Sequence, residues 1–351
     1  MSAPGAVVDP AGRERLGRVG AGPLLALLDD PETTDILVNG PDSVWTDGPG
    51  GLRRAAIRLG DRARLRALAA ALVAVGGGRL DDACPAADVR LPGNLRLHAI
   101  LPPIARDGPL LSLRVLRRRA FTVAELAARG TLPGPVAGVV HGLVAARANL
   151  LVSGATGAGK TTLLSSLLGL VPPTERIVVI EEAAEIASPH PHLVRLEARR
   201  ANTEGRGEFT LTELVRQAMR MRPDRIVLGE CRGAEVREVL TALNTGHAGS
   251  AATIHANAAA DVPARLAALG ALAGMDAPAV AAQTAAAIDA IVHVGRAARA
   301  GEGAGVRQVR EIALVAASDG GRLAAVPALT VGEGTAKKGP AWDRLERLVG
   351  R

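Results

Sequence analysis

Residues 149–162 read Asn149-Leu-Leu-Val-Ser153-Gly154-Ala155-Thr156-Gly157-Ala158-Gly159-Lys160-Thr161-Thr162. An apolar strand pattern runs into a glycine-rich turn, and an apolar helix pattern follows from Leu163. This order is that of the P-loop, whose backbone amides cradle phosphate at the positive end of a helix. We therefore expect residues 154–162 to bind ATP, with Lys160 on the β- and γ-phosphates and the Thr161 hydroxyl on Mg²⁺.

The pattern around this loop predicts the fold class. Short apolar or β-branched runs alternate with longer helical stretches; the runs cover residues 148–153, 176–181, 193–197, 225–229 and 251–255. Such alternation is typical of a mostly parallel sheet with helices on both faces. We expect an α/β protein with a RecA-like P-loop NTPase domain, preceded by a smaller α+β domain.

The domain boundaries follow from changes in composition. The first residues are rich in Gly, Pro and Arg without periodicity, and the region up to residue 118 contains short alternating runs separated by turns. The prediction is a flexible arm at 1–22, an N-terminal α+β domain at 23–118, a linker and helix at 119–142 and the ATPase domain at 143–351.

Acidic residues follow two of the predicted strands. Glu230 ends the run from Arg225, and Glu181-Glu182-Ala-Ala-Glu185 ends the run from Ile177. Ligands of open α/β folds bind at the carboxyl edge of the sheet, so these acids are candidates for orienting water and, for Glu230 and Glu182, for holding Mg²⁺. The alternative for each is a solvated residue at a turn or helix start.

The positively charged groups that would stabilise the transition state are harder to identify from the sequence. All but three of the 42 basic residues are arginine, and Arg195 and Arg220 are candidates for an arginine finger, in cis or from a neighbouring subunit. His255 ends the predicted strand 251–255, where it could sense the γ-phosphate through a hydrogen bond. A surface role remains the alternative for each arginine, and a structural role for the histidine.

Composition narrows the class of protein. The net charge is +7 with a pI near 10.6, but the arginines are scattered and aromatic residues are 1%, which leaves little for base stacking. We therefore expect no direct contact with nucleic acid. No run of roughly 18 apolar residues and no signal sequence is evident, and two distant cysteines form no disulfide framework or zinc motif. These features predict a cytoplasmic protein.

Taken together, the motifs resemble those of the type II and type IV secretion ATPase superfamily, most closely its tight-adherence (Tad/Flp) pilus and conjugal-transfer branch. The P-loop is followed by an acidic "Asp box" at Ile180–Glu185, a Walker B-like element at Met221–Gly233 and a "His box" at Thr245–Asn257. The family usually has Glu-Asp where this chain has Glu181-Glu182. The resemblance extends from about Pro23 to about Val315.

The resemblance implies a homohexamer with ATP and Mg²⁺ between the two domains of each subunit. It also implies that Arg90, Arg96 and Arg114 contact phosphates, and that hydrolysis drives domain closure, which is passed to an inner-membrane platform protein. The chain would then lie at the inner face of the membrane as a peripheral protein. Two alternatives remain: a RecA-like DNA-dependent motor, and an assembly protein that binds ATP without turning it over.

Overall fold

The computed structural model describes residues 8–30, 32–48, 50–93, 95–115, 120–199, 206–299, 302–317, 322–332 and 335–350. The chain separates into two compact units, Met1–Arg118 and Arg119–Arg351. The start of the predicted arm (residues 1–7) and the start of the predicted linker (residue 119) lie outside the described residues.

The first unit contains one antiparallel sheet and three helices in its described part. Its elements are α1 (Pro10–Arg18), α2 (Gly22–Leu27), β1 (Asp35–Gly40), β2 (Ser43–Asp47), β3 (Arg53–Arg54), α3 (Arg62–Val75), β4 (Ala86–Leu91), β5 (Leu95–Ile100) and β6 (Leu110–Val115). The strand order is β3-β2-β1-β6-β5-β4. One face of the sheet is covered by an apolar core to which α1, α2 and α3 contribute.

Helix α1 differs from the predicted flexible arm. The Asp9 side chain accepts a hydrogen bond from the Gly12 amide at 2.7 Å, and Pro10 occupies the first helical position. Both are strong helix-start features, because they satisfy or remove amides that a helix leaves without partners. Leu16 is buried in the core of the first unit, which anchors the helix. Residues 10–18 are therefore helical, and the prediction of a flexible arm is wrong for this part.

The second unit is built on a mixed, mostly parallel sheet. Its first elements are α4 (Val123–Ala128), α5 (Val136–Ala145), β7 (Leu150–Gly154), α6 (Lys160–Leu168), β8 (Ile177–Glu181), β9 (Leu193–Glu197), α7 (Leu211–Ala218), β10 (Arg225–Cys231), α8 (Val236–Asn244) and β11 (Ala251–His255). They are followed by α9 (Val262–Leu272), α10 (Ala277–Ala287), β12 (Ala290–Arg299), β13 (Glu302–Ala317), β14 (Leu323–Gly332), β15 (Thr335–Lys338) and α11 (Trp342–Val349).

The order of its described strands is β15-β14-β13-β12-β7-β11-β10-β8-β9. Strands β12 to β9 in this order are parallel, and β13, β14 and β15 are added antiparallel at one side. Leu150 and Val152 pack into one core and Leu151 into a second core, so both faces of the sheet are covered. The predicted α/β fold with a mostly parallel sheet and a preceding antiparallel-sheet region is confirmed.

Candidate functional site

The P-loop joins β7 to α6. Gly157 and Gly159 have φ angles of 70° and 102°, which L-residues with a side chain rarely adopt. A Cβ on Gly154 would clash with the carbonyl oxygen of Val294 on β12. These glycines let the chain turn tightly before α6, so that the amides of its first turn face the loop, as an anion site requires.

Lys160 folds back onto this loop. Its side chain is buried, and Nζ donates hydrogen bonds to the carbonyl oxygens of Gly154 and Ala155 at 3.0 and 3.1 Å. Nζ also lies 3.3 Å from Nδ1 of His255. Burial lowers the pKa of Lys160, and the negative charge of Glu230 opposes this effect. Phosphate oxygens are stronger acceptors than these neutral groups, so a bound triphosphate can replace them.

A continuous chain of polar contacts leads from Lys160 to the predicted acids. Nε2 of His255 lies 2.5 Å from Oε1 of Glu230, and the Arg232 guanidinium contacts Oε2 of Glu230 at 2.6 Å and Oε2 of Glu182 at 3.3 Å. We call these residues, Lys160, His255, Glu230, Arg232 and Glu182, the edge network. The structure thus brings Glu230, Glu182 and His255 together with the P-loop at the carboxyl edge of the sheet.

His255 lies at the centre of the edge network. Burial lowers its imidazole pKa; the Glu230 charge opposes this shift, and Lys160 and Arg232 reinforce it. A neutral ring can accept from Lys160 through Nδ1, while its Nε2 lies against Oε1 of Glu230 in a close contact that lacks the alignment of a hydrogen bond. His255 therefore lies between the P-loop lysine and the Glu230 carboxylate.

Glu181 does not join the edge network. It is 3% exposed, and its Oε1 accepts hydrogen bonds from the amides of Glu185 and Ile186, both at 2.8 Å. Burial raises the pKa of Glu181 despite these two bonds. The side chain therefore closes the turn after β8, in contrast to its predicted catalytic role. Glu185 lies closer to the site, since its charge acts on the pKa values of Lys160 and Arg232.

The two candidate arginine fingers lie away from the P-loop of their own chain. Arg195 is on β9, four strands from β7, which corresponds to about 19 Å at ~4.8 Å per strand. Arg220 lies between α7 and the start of β10, near the amino edge of the sheet. Both side chains are exposed. A finger role in cis is inconsistent with these positions, and a role in trans stays a prediction.

Arginines of the first unit form a row across its sheet. Arg90, Arg96 and Arg114 lie directly opposite one another on β4, β5 and β6. Arg96 contacts Asp88 at 2.6 Å, and Arg114 contacts Asp35 at 3.1 Å. The phosphate contacts predicted for Arg90 and Arg114 stay a prediction.

The donor atoms present fit Mg²⁺ bound together with a nucleotide. Thr161 lies in the first turn of α6 next to Lys160, and Glu230 and Glu182 present carboxylates in the edge network. Mg²⁺ prefers oxygen ligands and commonly takes one or two carboxylates together with phosphates and water. In the described part of the chain, no three His, Cys, Asp or Glu side chains group closely enough to hold a metal ion. The fit therefore depends on phosphate oxygens.

Sequence reasoning missed Arg232 and two buried polar residues beneath the P-loop, Ser153 and His293. Arg232 follows Glu230 by two residues, a spacing that places two side chains on the same side of a strand. That spacing was the available signal, but the many arginines of the chain hide it. Ser153 and His293 carry no motif, because their contact depends on the pairing of β7 with β12.

Comparisons with known proteins identify the family of the chain. The family model "Type II/IV secretion system protein" matches residues 18–311. A Mycobacterium tuberculosis (strain H37Rv) protein, provisionally named a conjugal transfer protein, is 53% identical over 307 residues, 86% of each chain. The protein VirB11 of Agrobacterium fabrum is 31% identical over 261 residues, 66% of this chain and 75% of the relative.

Solved structures share the fold. The Legionella pneumophila ATPase DotB superposes with a TM-score of 0.56 at 19% identity, covering 83% of this chain and 78% of DotB. The pilus retraction motor PilT, solved with bound ADP, gives a TM-score of 0.56 at 21% identity, covering 85% and 80%. With the family model matching most of the sequence, the chain belongs to the type II/IV secretion system protein family.

Proposed function

We propose that this chain is a Mg²⁺-dependent ATPase that drives a secretion, conjugal-transfer or pilus-assembly machine. The observation that carries the proposal is the edge network, in which His255 bridges the P-loop lysine and Glu230. The names of relatives support it: an ATPase, a retraction motor with ADP, and VirB11 proteins of type IV secretion systems. Among these kinds of machine, a tight-adherence pilus system remains our prediction.

The residues of the site suit hydrolysis of a triphosphate. The amides of the P-loop and Lys160 would hold the β- and γ-phosphates, with Lys160 exchanging the carbonyls of Gly154 and Ala155 for phosphate oxygens. The Thr161 hydroxyl, Glu230 and Glu182 would hold Mg²⁺, which neutralises phosphate charge. Glu230, oriented by His255, would position and deprotonate the attacking water.

Arg232 would set the state of the acids before nucleotide arrives. It neutralises Glu230 and Glu182, whose carboxylates would otherwise repel each other and the triphosphate. Because over half of its side chain is exposed, Arg232 can move when a metal and phosphates take over these carboxylates. Its guanidinium would then be available to the γ-phosphate.

The assembly proposed is a homohexamer that passes domain closure to an inner-membrane platform protein. Exposed Arg195 and Arg220 suit a finger offered to a neighbouring subunit, and we keep the proposal that Arg90 and Arg114 contact phosphates. Within the described residues, none of the helices combines the length and the apolar character needed to cross a bilayer. We propose attachment from the cytoplasmic side as a peripheral protein.

Phosphate release from ATP by the full chain tests this function. We expect turnover with Mg²⁺ that EDTA abolishes, little change on adding DNA at low salt, and a six-chain species by native mass spectrometry with a non-hydrolysable ATP analogue. ATP binding without turnover would favour a scaffold, and steep stimulation by DNA would favour a DNA motor. A persistent monomer with nucleotide bound would contradict the hexamer.

A further inference from the structure

A buried histidine lies directly beneath the P-loop. Strands β12 and β7 are parallel neighbours, and their register pairs His293 with Ser153, the residue before Gly154. Both side chains are buried, and the Ser153 hydroxyl lies 2.9 Å from Nδ1 of His293. The serine hydroxyl and the imidazole thus satisfy each other at the point where β7 becomes the P-loop.

The same imidazole makes a second contact on the far side of β7. The backbone of Asn257, two residues after His255, lies close enough to the ring to raise its pKa. Burial is the largest influence on the pKa of His293 and lowers it. A neutral ring can accept from the Ser153 hydroxyl through Nδ1 and present its Nε2 proton toward the Asn257 backbone.

These two contacts connect the P-loop, which leads to Lys160, with the end of β11, which carries His255. Strand β7 lies between β12 and β11. His293 is on β12, and Asn257 lies in the segment that follows β11, so the two residues come from opposite sides of β7. Ser153 leads into the loop held by Lys160, and Asn257 follows His255, whose Nδ1 is 3.3 Å from Lys160. A shift of either segment would change that separation.

An apolar side chain at position 293 would occupy this buried site without the desolvation cost that an imidazole carries. A buried polar ring is tolerated when its hydrogen bonds are made, and each bond then fixes its partner's position. The backbone of β12 adds to the restraint, because the carbonyl of Val294 abuts Gly154. The ring and the next peptide therefore hold the start of the P-loop from below.

We propose that His293 is a positioning residue that sets the spacing between the P-loop and the His255 segment through Ser153 and Asn257. This inference rests on the proposed ATPase function. Because His293 acts through other residues, its loss affects the geometry of the reacting groups more than the phosphate nest itself. Misplacement of about 1 Å is enough to cost a large factor in rate.

Turnover and ADP affinity of His293→Leu test the proposal. We expect kcat to fall about ten-fold while the Kd for ADP stays within about three-fold of wild type. His293→Gln, which retains a group that donates and accepts, is expected to recover much of the loss. The double variant Ser153→Ala/His293→Leu is expected to be no slower than His293→Leu alone, because both changes break one connection.

His190→Leu is the matched control. His190 is also buried and also hydrogen-bonds to a backbone carbonyl, that of Pro172, but it lies before β9 and away from the P-loop. Its kcat is expected to stay within about two-fold of wild type. Equal losses in the two variants, a wild-type kcat in folded His293→Leu, or multiplying effects in the double variant would overturn the proposal.

Amide hydrogen exchange of the nucleotide-free chain separates this proposal from the function it rests on. His293→Leu is expected to speed exchange at residues 154–160 and 253–258, and His190→Leu at neither. If wild type hydrolyses no ATP, the proposed function fails, and this exchange pattern still decides whether His293 positions the two segments. Should His293→Leu fail to fold, Ser153→Ala gives the same comparison, because it removes the hydroxyl that contacts His293, and unchanged exchange in this variant would contradict the proposal.

Discussion

Strand β10 begins at Arg225 and is followed directly by Arg232, and the surroundings of these two arginines differ. Arg225, at the amino edge of the sheet, is 2% exposed and contacts Glu175 at 2.7 Å. It also donates to the carbonyl oxygens of Val144 and Gly249 at 3.3 and 3.2 Å. Arg232, just past the carboxyl edge, is 56% exposed in its side chain and contacts Glu230 and Glu182.

The two arginines differ in the groups that contact their guanidinium. Backbone carbonyls of α5 and of the turn before β11 cannot be exchanged without unfolding, so Arg225 is fixed. Carboxylates at an open edge can be taken over by another cation, so Arg232 is held in a way that a metal or phosphate can change. The amino edge therefore provides stability, and the carboxyl edge provides groups that can rearrange around a ligand.

Glu230→Gln should give the largest effect on the carboxyl edge. We expect turnover to fall about 1000-fold while ATP binding is retained, because the amide can still contact His255 but cannot take a proton from water. Phosphate release and equilibrium binding measure the two quantities. Glu346→Gln, an exposed residue of α11, is the control and should change neither. Unchanged turnover in Glu230→Gln would remove this residue from the chemistry.

Arg225→Ala should instead affect stability. Removing the buried guanidinium leaves the carbonyl oxygens of Val144 and Gly249 without their donor, while Glu175 keeps its contact with Arg147 at 2.8 Å. Unsatisfied buried groups of this kind should cost about 2–4 kcal/mol in total. Denaturation in urea followed by circular dichroism measures this cost. Arg216→Ala, which breaks an exposed pair with Glu238, should leave the midpoint nearly unchanged. Equal midpoints for the two variants would show that the amino edge is no more fixed than the surface.

Arg232→Ala should show the opposite profile. We expect turnover to fall about ten-fold and the free energy of unfolding to change by less than about 1 kcal/mol, since the Arg232 side chain is over half exposed. Arg232→Lys should lie between wild type and Arg232→Ala, because one ammonium cannot bridge two carboxylates in the same way. A stability loss as large as that of Arg225→Ala would erase the contrast between the edges.

Sequence alone could not separate these two arginines. The strand pattern predicts β10 and the order of its ends, so the position of Glu230 was predictable. Whether an arginine is buried depends on strands and loops distant in sequence, such as the turn at Gly249 that covers Arg225. For the same reason the acidic cluster could be placed at the edge, while the inward turn of Glu181 could not.

Glu181→Gln should change the pH dependence of stability. Burial raises the folded-state pKa of Glu181, so the folded chain binds a proton more readily than the unfolded chain. Its contribution is therefore present below the ordinary glutamate pKa and is lost as pH rises through the raised value. Wild type should lose more stability from pH 5 to pH 8 than Glu181→Gln does, as measured by thermal unfolding at the two pH values. Identical pH profiles of stability for wild type and Glu181→Gln would contradict the conclusion that Glu181 is an ionisable group in a buried position.

The ends of the described chain show where pattern reading was weakest. The start of α1 had clear signals in Asp9 and Pro10, but the glycines and arginines around them masked its apolar positions. Strands β13 to β15 contain many alanines, a residue that is depleted in strands, so no elements were predicted there. Their strand form is stabilised by pairing with β12.

Binding of Mg²⁺·ATP to Lys160→Ala tests the central claim, that the carboxyl edge of the second unit holds the triphosphate. We expect affinity to fall at least about 100-fold relative to wild type, because we assign the buried ammonium as the P-loop's charged phosphate ligand. Lys337→Ala, which removes an exposed lysine of β15, should bind like wild type. Wild-type affinity in folded Lys160→Ala would contradict the account.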